Sequence, residues 1–570
     1  MQNTYVAPGP GGWEKETTHM SGVVPAFVME RFPGSLGRGF QEGGVKYGLP
    51  LHHLEMRSVN GIIYQRQVMV GEPENPKGPP PAVIFYLLSR LHPEMRRRNK
   101  AWFNSIENRQ WEKDLEDWDV NYKPDSIRRN LALAEVDVAA LSDAEFNDHL
   151  RACSENLGEM FYRHHRYTVS CMLPTGRAIA IATASGDVTA AEVIALLRGS
   201  TPVSAGAFAE EMSPLVNAIT ASGASAESLE GIADDDFCDH LRGLGASVAA
   251  ALDRYLLFAG VSIVSGYTIL EKTLREMPGL LKSRILDALR RAGEDTKKVN
   301  VEEVEAMIAA VRAKVPEQRR SEFDSWLAVA RQINRLRDER GVYNDSWANG
   351  ISRIAVLEAG RRLVARGILA DAELALDASA QELIDMMSNR NVECAGELAA
   401  RRDHRLNTRL EDAPAWLGNP PGGPPPLDLM PAGLRQATET VLAALSNVFD
   451  DEEVEEVDTE SDAILTLKGL PVSPGSFEGT ARVIGGPDDF HRIQQGDVLV
   501  TRNTSASFNV VLPKLGGLIT DRGGLLSHAA IVSREYGIPG VVSTKRATLD
   551  IPDGSRVRID GSAGTVSVLS

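Results

Sequence analysis

His528, near the C-terminus, stands among residue types that suit phosphoryl chemistry. The turn at 521–524 before it contains two glycines, which tolerate positive φ and let the backbone approach a ligand closely. Ser527 is placed to cap a helix over 528–536, because its hydroxyl can accept a hydrogen bond from an amide of the first turn. The GIPG stretch at 537–540 would end that helix. The pattern predicts a histidine at a helix N-terminus.

A histidine in that position lies among unbonded amides and the positive end of the helix dipole, both of which favour anions. A structural imidazolium is poorly placed there, whereas an imidazole that becomes negatively charged by accepting a phosphoryl group is well placed. Neutral histidine is a competent nucleophile near neutral pH, since its ordinary pKa is about 6.5. From these residues alone, a capping or surface histidine is as good an interpretation of His528 as a phosphorylated one.

The stretch around His528 resembles the phosphohistidine signature of a swivelling domain that phosphoenolpyruvate synthase, pyruvate phosphate dikinase and rifampin phosphotransferase share. In that signature GG-x-x-[ST]-H-x-A precedes RE-x-GIP-x-V, and this chain has GGLLSHAA at 523–530 followed by REYGIPGV at 534–541. The resemblance implies that a phosphoryl group is carried on the histidine. The roles it assigns are catalytic for His528, Ser527 and Arg534, and phosphate-binding for Gly523 and Gly524.

The residues on both sides of this signature predict the elements that would hold it. Alternating apolar residues indicate a strand at 480–484, and a turn followed by an apolar run indicates another at 497–500. Two further short strands at 553–561 and 564–568 are separated by Asp-Gly turns. Residues 468–570 therefore predict a compact α/β domain of ordinary size.

Thr504, after the second of these strands, begins a segment in which the chain departs from the family pattern. Many members have a Thr-x-Pro-x-Trp segment here, and Ala506 and Phe508 stand at the proline and tryptophan positions. By resemblance, Thr504 is expected to bind phosphate. Asn509 fits an ordinary turn equally well.

Residues 412–467 have the composition of a linker. The part at 412–431 contains the run PPGGPPP, which excludes a regular helix or a central strand, and 450–460 is mostly acidic. Between them, apolar residues at helical spacing predict one helix over 434–448. A helix flanked by two flexible segments suits the tether of a swivelling domain.

Residues 1–411 predict a large, mostly helical domain with a small β element, so the fold class is multidomain α+β. The clearest strand is at 61–70. The apolar stretch 255–270 is too short to span a membrane and predicts a buried helix. Apolar residues at three- and four-residue spacing predict further helices over 142–157, 189–197, 247–262, 301–313, 322–339 and 349–365.

This helical part resembles the substrate domain of rifampin phosphotransferase and of phenylphosphate synthase. The resemblance implies that residues 1–411 bind the phosphoryl acceptor. It is carried by the order of several loose motifs, which are GGW at 11–13 with His19 nearby, VNG at 59–61, LLRG at 196–199, LRDER at 336–340, and LEAGRRL at 357–363 with Gly367.

Arg337 is the first candidate for a cation beside the acceptor, because it matches a phosphate-facing arginine of the rifampin enzymes. Their pattern has a lysine four residues on, where Gly341 stands here, so Arg340 is taken as its substitute with a different geometry. A solvated helix face is an equally good interpretation of both arginines. His165, in the cluster YRHHRY at 162–167, is the candidate for orienting the acceptor, although surface or core histidines are more frequent.

The resemblance to phenylphosphate synthase also implies a divided enzyme. No stretch resembles an ATP-grasp domain or a phosphoenolpyruvate-binding barrel, and no GxxxxGK[ST] loop occurs. A separate ATP-grasp subunit is expected to bind ATP with Mg²⁺ and to transfer the β-phosphoryl group to His528, giving AMP and phosphate. The swivelling domain would then deliver the group to a hydroxyl of a small acceptor, phenolic by preference. No tightly bound cofactor and no metal ligands are expected in this chain.

Composition narrows the partners and the compartment. A net charge of −17 argues against nucleic acid or an anionic membrane as the main partner. The four cysteines lack CxxC spacing, so neither a zinc site nor a disulfide framework is predicted, and no secretory signal opens the chain. A cytoplasmic protein with reduced thiols is expected.

Three other functions fit parts of the sequence. The first is a phosphotransferase of the same kind with an antibiotic-like acceptor. The second is a phosphocarrier or regulatory protein that passes its phosphate to another protein, which would need little beyond the swivelling domain. The third is a catalytically silent homologue used for assembly, against which the intact signature around His528 argues.

Overall fold

The computed structural model describes residues 4–20, 22–76, 78–200, 208–293, 301–390, 392–419, 426–448, 465–504, 508, 511–525 and 527–569. Contacts divide the chain into two compact units. Unit 1 comprises Met1–Cys171, Val261–Thr273 and Leu336–Glu439, and unit 2 comprises Met172–Gly260, Leu274–Arg335 and Thr440–Ser570. The domain boundaries predicted at 411 and 468 were drawn from composition and motifs, whereas these units are defined by contacts between residues. The predicted boundaries therefore stay a prediction.

Helices dominate the described residues, and two sheets complete a multidomain α+β fold, as predicted. In chain order the α-helices are α1 Ala26–Met29, α2 Phe32–Lys46, α3 Ala82–Leu91, α4 Pro93–Glu107, α5 Gln110–Asp117, α6 Lys123–Ala134, α7 Asp143–Arg166, α8 Thr168–Ala182, α9 Ala190–Ala195, α10 Ala209–Ala221, α11 Ala226–Glu230, α12 Phe237–Gly243, α13 Ala246–Tyr255, α14 Pro278–Gly293, α15 Val301–Lys314, α16 Arg320–Arg340, α17 Trp347–Ala365, α18 Ala380–Met387, α19 Ala395–Asn407, α20 Ala432–Val448, α21 His528–Tyr536 and α22 Ala547–Asp550.

Shorter helical segments and the strands complete the elements. The π-helical segments are Trp118–Tyr122, Leu256–Gly260 and Gly341–Ser346. The 3₁₀ segments are Thr183–Ser185, Leu274–Glu276, Glu317–Arg319, Ala372–Asp377, Val392–Cys394, Leu410–Asp412, Leu427–Leu429, Pro487–Arg492 and Leu512–Lys514. The strands are β1 Gly12–Lys15, β2 Leu51–Val59, β3 Ile62–Met69, β4 Trp416–Gly418, β5 Leu465–Lys468, β6 Leu470–Ser473, β7 Ser476–Val483, β8 Asp497–Thr501, β9 Leu515–Thr520, β10 Gly540–Val542, β11 Arg556–Asp560 and β12 Thr565–Leu569.

In unit 1, four strands form an antiparallel sheet in the order β2-β3-β1-β4. Trp13 and Tyr64 pack with Leu417 in the buried cluster on this sheet. β3 confirms the strand predicted at 61–70. β4, at the sheet edge, lies inside the segment predicted as a linker, so 412–467 is not linker throughout. The parts at 420–425 and 449–464, with most of the PPGGPPP run and the acidic run, lie outside the described residues.

Two long helical stretches position the polar side chains of unit 1. α7 begins at a capping box in which Ser142 and Glu145 bond each other's backbone amides, and it continues to Arg166, past the predicted end at 157. The helices predicted at 322–339 and 349–365 are α16 and α17. The π segment Gly341–Ser346 joins them, and its i→i+5 bonding takes one extra residue into the turn.

The prediction of a buried helix over 255–270 is wrong. α13 ends at Tyr255 and one π turn follows, after which 261–273 is not helical. The amide of Ile263 donates to the Ser346 carbonyl at 3.0 Å, and Ile263 also pairs with Thr273 in an isolated bridge. These long-range bonds satisfy the backbone that a helix would otherwise have bonded locally, so the apolar side chains are buried without helical structure.

In unit 2, eight strands form a mixed sheet in the order β5-β12-β11-β7-β8-β9-β10-β6. β7, β8, β9 and β10 are parallel, and the other pairs are antiparallel. Val498, Ile519 and Val541 lie in the buried cluster of this sheet, and α21 packs against β6 and β10. The strands predicted at 480–484, 497–500, 553–561 and 564–568 and the helix predicted at 434–448 are present as β7, β8, β11, β12 and α20.

Among the residues that the structure describes, no helix is both long and apolar enough to cross a membrane. Cys153, Cys171, Cys238 and Cys394 are present as thiols, and burial raises the pKa of Cys153 to about 12.

Candidate functional site

His528 is the first residue of α21, and the predicted helix over 528–536 is confirmed to the residue. Ser527 has extended backbone angles, and its hydroxyl accepts a hydrogen bond from the Ala530 amide at 3.3 Å, so the predicted N-cap is also confirmed. Gly537 ends the helix in the left-handed region at φ 64°. The imidazole of His528 therefore stands at the positive end of a short, well-capped helix.

Thr504 fixes the orientation of this imidazole. Its buried hydroxyl oxygen lies 2.9 Å from Nδ1 of His528. Thr504 comes from the loop after β8, and the loop after β9 lies alongside, since the Arg522 amide donates to the Arg502 carbonyl at 3.0 Å. With the ring proton on Nδ1 donated to Thr504, Nε2 keeps the lone pair that a nucleophile needs.

The glycines of the signature shape the turn before the helix. Gly523 has φ 125°, and a Cβ there would lie 2.8 Å from Oγ of Ser527. The amide of Ser527 donates to the Gly524 carbonyl at 3.0 Å. A side chain at 523 would therefore displace the cap of α21. The phosphate-binding roles of the two glycines and of Thr504 stay predictions.

Arg534 braces the same turn from the far end of α21. It is buried, and its guanidinium donates to the carbonyl oxygen of Leu525. The charged hydrogen bond holds the residues that precede His528 against the helix. The sequence assigned Arg534 a catalytic role, which stays a prediction, whereas the structure shows a residue that supports the loop.

Glu535 connects α21 to the helical part of unit 2. The amide of Gly199 donates to its carboxylate at 2.9 Å, and burial raises the pKa of Glu535 above its ordinary value. Arg331 donates to the carbonyls of Leu196 and Arg198, which hold the same turn. The LLRG motif at 196–199 thus forms the turn that contacts the C-terminal end of α21.

Unit 1 brings together the three residues that the sequence assigned to the acceptor. Arg340 is buried and donates to the His164 carbonyl at 2.8 Å and to the Thr168 hydroxyl at 2.6 Å. His165 follows in the same α7 turn. Arg337 is more exposed and lies 3.5 Å from the Asp338 carboxylate. Arg340 is buried and binds the C-terminal end of α7. The alternative interpretation, in which both arginines lie on a solvated helix face, is therefore wrong for Arg340.

An aromatic cluster surrounds His165. The ring centroids of His165 and His164 are 4.6 Å apart, and His19 lies 5.2 Å from His165 on the other side. Phe32 and Tyr267 make edge contacts with His19 at 5.6 and 5.2 Å. Two of the three histidines are buried, while His19 keeps 18% of its side chain exposed. The cluster therefore reaches from the interior of unit 1 to its surface.

Burial and charge set the protonation of this cluster. Burial, with Arg340 and the neighbouring histidines, holds the pKa of His164 and of His165 well below the ordinary value. Burial raises the pKa of Asp345 well above its usual range, against the opposing charge of Arg340, and Oδ2 of Asp345 lies 2.5 Å from Nδ1 of His164. Burial also opposes ionisation of Glu16, but His19 and backbone amides bind its carboxylate and lower its pKa.

Sequence reasoning missed Glu16, Tyr267 and Asp345. Tyr267 lies in the stretch misread as a helix. The one available signal for Asp345 was the polar run YND at 343–345 between two apolar helical patterns. Among the described residues, no three His, Cys, Asp or Glu side chains are grouped as a metal site.

Residues 493–564 match the family described as PEP-utilising enzyme, mobile domain. The matched residues contain His528 and its cap, so the similarity to PEP-utilising enzymes is established for this domain. The longer similarities extend well beyond the domain. A rifampicin phosphotransferase of Streptomyces sp is 31% identical over 352 residues, which cover 60% of this chain and 37% of that protein.

Two further relatives cover less of the chain. The uncharacterised phosphotransferase YvkC of Bacillus subtilis is 31% identical over 255 residues, 44% of this chain and 28% of that protein. A probable phosphoenolpyruvate synthase of Archaeoglobus fulgidus is 42% identical over 112 residues, 20% of this chain and 15% of that protein. The chain spans little more than a third of the length of the rifampicin phosphotransferase that it matches.

Proposed function

We propose that this chain is the phosphohistidine-carrying and acceptor-binding part of an ATP-dependent, dikinase-type phosphotransferase. The observation that carries the proposal is the placement of His528 at the start of α21, with Nδ1 2.9 Å from the Thr504 hydroxyl, inside the residues that match the mobile domain. A neutral imidazole held by Nδ1 presents Nε2 as the nucleophile, and the helix N-terminus stabilises the phosphorylated form.

The reaction has two transfers. In the first, ATP and water react at His528, so that the β-phosphoryl group forms a bond to Nε2 and AMP and phosphate are released. In the second, the N–P bond breaks as an acceptor hydroxyl oxygen attacks phosphorus, and the hydroxyl proton is lost. Phosphoryl transfer of this kind depends on positioning and on cations that balance the charge on the phosphoryl oxygens. Arg337 is the proposed cation, because it is less buried than Arg340, which lies one turn further along α16.

ATP with Mg²⁺ is proposed to bind on a separate ATP-grasp subunit. The resemblance of the helical part to phenylphosphate synthase, whose nucleotide domain is a separate subunit, supports this arrangement. The acceptor is proposed to be a small phenolic compound that binds in unit 1. The similarity to a rifampicin phosphotransferase over 352 residues favours a second candidate, a larger antibiotic-like acceptor with the same chemistry.

The test is the intact mass of the full chain after incubation with ATP and Mg²⁺, alone and with the product of a neighbouring ATP-grasp gene. Spectra are recorded without acid, because phosphohistidine is acid-labile. We expect one added phosphoryl group only with the partner, lost in His528→Ala and retained in the control His491→Ala from the same domain. Phosphorylation without the partner contradicts the separate nucleotide subunit. No phosphorylation with any ATP-grasp partner contradicts the proposed first transfer.

A phosphocarrier would give the same first result. The second transfer separates it from the proposed enzyme. Purified phosphorylated chain is mixed with phenols, and phosphate esters are sought by ³¹P NMR. Ester formation supports the phosphotransferase, whereas transfer only to another protein supports the carrier.

A further inference from the structure

Several polar side chains in the interior of unit 1 lack hydrogen-bond partners among the residues that the structure describes. They are Nε2 of His165, both amide atoms of Asn344, Oδ1 of Asp345 and Oδ1 of Asn349. The residues are at most 3% exposed. Buried polar atoms in folded proteins are nearly all bonded, so several unbonded ones on neighbouring residues indicate a place where water or a ligand binds.

A second buried carboxylate in unit 1 shows what a purely structural site looks like. Asp114 is as buried as Asp345, and it accepts hydrogen bonds from Lys46 and Tyr47 at 2.8 Å each, as well as from Gln110 and Ser170. Both of its oxygens are saturated. Asp345 has only the contact of one oxygen with Nδ1 of His164. The fold can therefore satisfy a buried carboxylate fully, and it does not do so at Asp345.

The local elements explain how these groups come to face one another. Asn344 and Asp345 lie in the π segment Gly341–Ser346, where the extra residue per turn changes which side chains face inward. Such segments occur frequently at functional sites. α7 supplies His164 and His165 from the opposite side, and Arg340 holds the two elements together through the His164 carbonyl.

The hydrogen bonds around Thr168 set the tautomer of His165. The Thr168 oxygen accepts from Arg340 at 2.6 Å, so its own hydrogen is available to Nδ1 of His165, 3.5 Å away. Because His165 is buried and neutral, the ring proton then sits on Nε2. Nε2–H is a donor that an oxygen ligand can accept.

The surroundings suit an aromatic ring attached to that oxygen. Phe32 lies 6.1 Å from His165 and 5.0 Å from Phe161, both by ring centroids. Tyr267 and the partly exposed His19 lie on the outer side. Aromatic rings beside a group of buried polar atoms suit a small aromatic ligand that carries a hydroxyl.

We propose that the cluster of His19, His164, His165, Tyr267 and Asp345 binds the hydroxyl of a small aromatic acceptor, with His165 donating from Nε2 to the oxygen and the His164–Asp345 pair holding His165 in place. This inference rests on the proposed phosphotransferase function. In the second transfer the O–H bond breaks, the O–P bond forms and the N–P bond to His528 breaks. The electron pair that N–P cleavage leaves on Nε2 of His528 accepts the hydroxyl proton. Asp345 acts through His164 and is a positioning residue.

The location of the site is tested on the unmodified protein. 4-Bromophenol is diffused into crystals of the full chain, and the bromine is found by anomalous scattering. We expect the phenol oxygen at His165 Nε2 and the ring beside Tyr267 and Phe32. Bromine found elsewhere, or nowhere at saturating phenol, overturns the inference. Neither result depends on phosphorylation of His528, so the outcome is distinct from a failure of the proposed function.

The roles are tested with 4-fluorophenol and four variants, His165→Gln, His164→Gln, Asp345→Asn and the control His149→Gln, a buried histidine on the same helix α7. ¹⁹F NMR measures binding, and a single turnover from purified phosphorylated chain measures transfer. We expect His165→Gln to weaken binding about tenfold. We expect His164→Gln and Asp345→Asn to weaken binding about threefold and to transfer at the wild-type rate at saturating phenol. His149→Gln should match wild type in both.

The opposite pattern would overturn the assignment of roles. Unchanged binding in His165→Gln would show that His165 is not the oxygen donor, and slow transfer in His164→Gln at saturating phenol would show that the pair does more than position His165. Thermal unfolding of each variant controls for folding. Asp114→Asn is the control for a stability loss alone, and it should lower the melting temperature while the folded protein still binds 4-fluorophenol as wild type does.

Discussion

The hydroxyl of Thr504 and Nδ1 of His528 lie 2.9 Å apart although 24 residues separate them in the chain. The contact joins the loops that follow β8 and β9, two neighbouring parallel strands whose carboxyl ends meet at one edge of the sheet. The orientation of the imidazole is therefore set by the sheet and not by α21 alone. The helix N-terminus supplies a potential that favours anions, and under the proposed function the Thr504 contact selects Nε2 as the ring nitrogen that reacts.

Replacing Thr504 by valine removes this contact while keeping the volume and branching of the side chain. We expect the rate of His528 phosphorylation to fall about fivefold, because one hydrogen bond of about 1 kcal/mol no longer selects the reactive tautomer. The measurement is the time course of intact mass with the ATP-grasp partner. Thr466→Val, which removes a hydroxyl contact with Ser567 on β12, is the control and should leave the rate unchanged. Equal rates in wild type and Thr504→Val would contradict the role of Thr504.

Gly523→Ala should destabilise the turn before α21. Alanine is strained at φ 125°, and its Cβ would lie 2.8 Å from the Ser527 hydroxyl. We expect a loss of about 1–3 kcal/mol in the free energy of unfolding of this region, and weaker amide-exchange protection in α21. Gly486→Ala is the matched control, because its φ of 175° is extended and no atom lies within 4 Å of the added carbon. Equal effects of the two substitutions would show that the turn tolerates a side chain.

The sequence predicted structure that local interactions determine, but not structure that depends on residues far apart in the chain. α21 and its Ser527 cap were predicted to the residue, because capping and the Gly537 stop act within one helical turn. The stretch 255–270 was mispredicted, because bonds from Ile263 to Ser346 and Thr273 decide its structure. No local pattern reveals such pairings.

The two sites were predictable to different degrees for the same reason. The residues around His528 are contiguous and form one signature, whereas the unit 1 cluster collects side chains from four distant segments. His165, Arg337 and Arg340 were named from local motifs. That these residues lie close to Glu16, Tyr267 and Asp345 follows only from the tertiary fold.

Glu535 should hold the end of α21 on the turn at 196–199. Its carboxylate accepts from the Gly199 amide at 2.9 Å. Glu535→Gln keeps an oxygen acceptor and removes the cost of a buried charge, so we expect wild-type protection of the Gly199 amide in hydrogen exchange. Glu535→Ala leaves that amide without its acceptor, and we expect protection to fall about tenfold. Glu478→Ala, which removes an exposed ion pair with Arg558, should change nothing at Gly199. Loss of protection in Glu535→Gln would show that charge, not the hydrogen bond, makes the contact.

Acidification should destabilise the protein through His149. Burial lowers the pKa of His149 below the ordinary value, so below about pH 6.5 the unfolded chain binds a proton that the folded chain does not. The contribution of this residue is fully present above that pH and is lost as the pH falls. We expect wild type to lose stability relative to His149→Gln by at most about 1.4 kcal/mol per pH unit below about pH 6.5. Urea unfolding from about pH 7.5 to about pH 5 measures the difference.

The control for this titration is His240→Gln, which removes an exposed histidine from α12. Its stability should run parallel to that of wild type over the same pH range. If His149→Gln also runs parallel to wild type, burial does not hold His149 neutral.

The π segment Gly341–Ser346 also makes this part of the chain intolerant of a change in length. Each residue of a helix adds about 100° of rotation about the axis. Adding or removing one residue therefore rotates every side chain beyond it by that angle. In α17 that phase is tightly constrained, since a Cβ on Gly350 would lie 1.7 Å from the Val261 carbonyl. Deleting one residue from 341–346 would restore an ordinary helix locally, yet it would turn a bulkier side chain of α17 toward Val261 and withdraw Asp345 from His164. A length change that surface loops absorb would here misalign a helix of 19 residues.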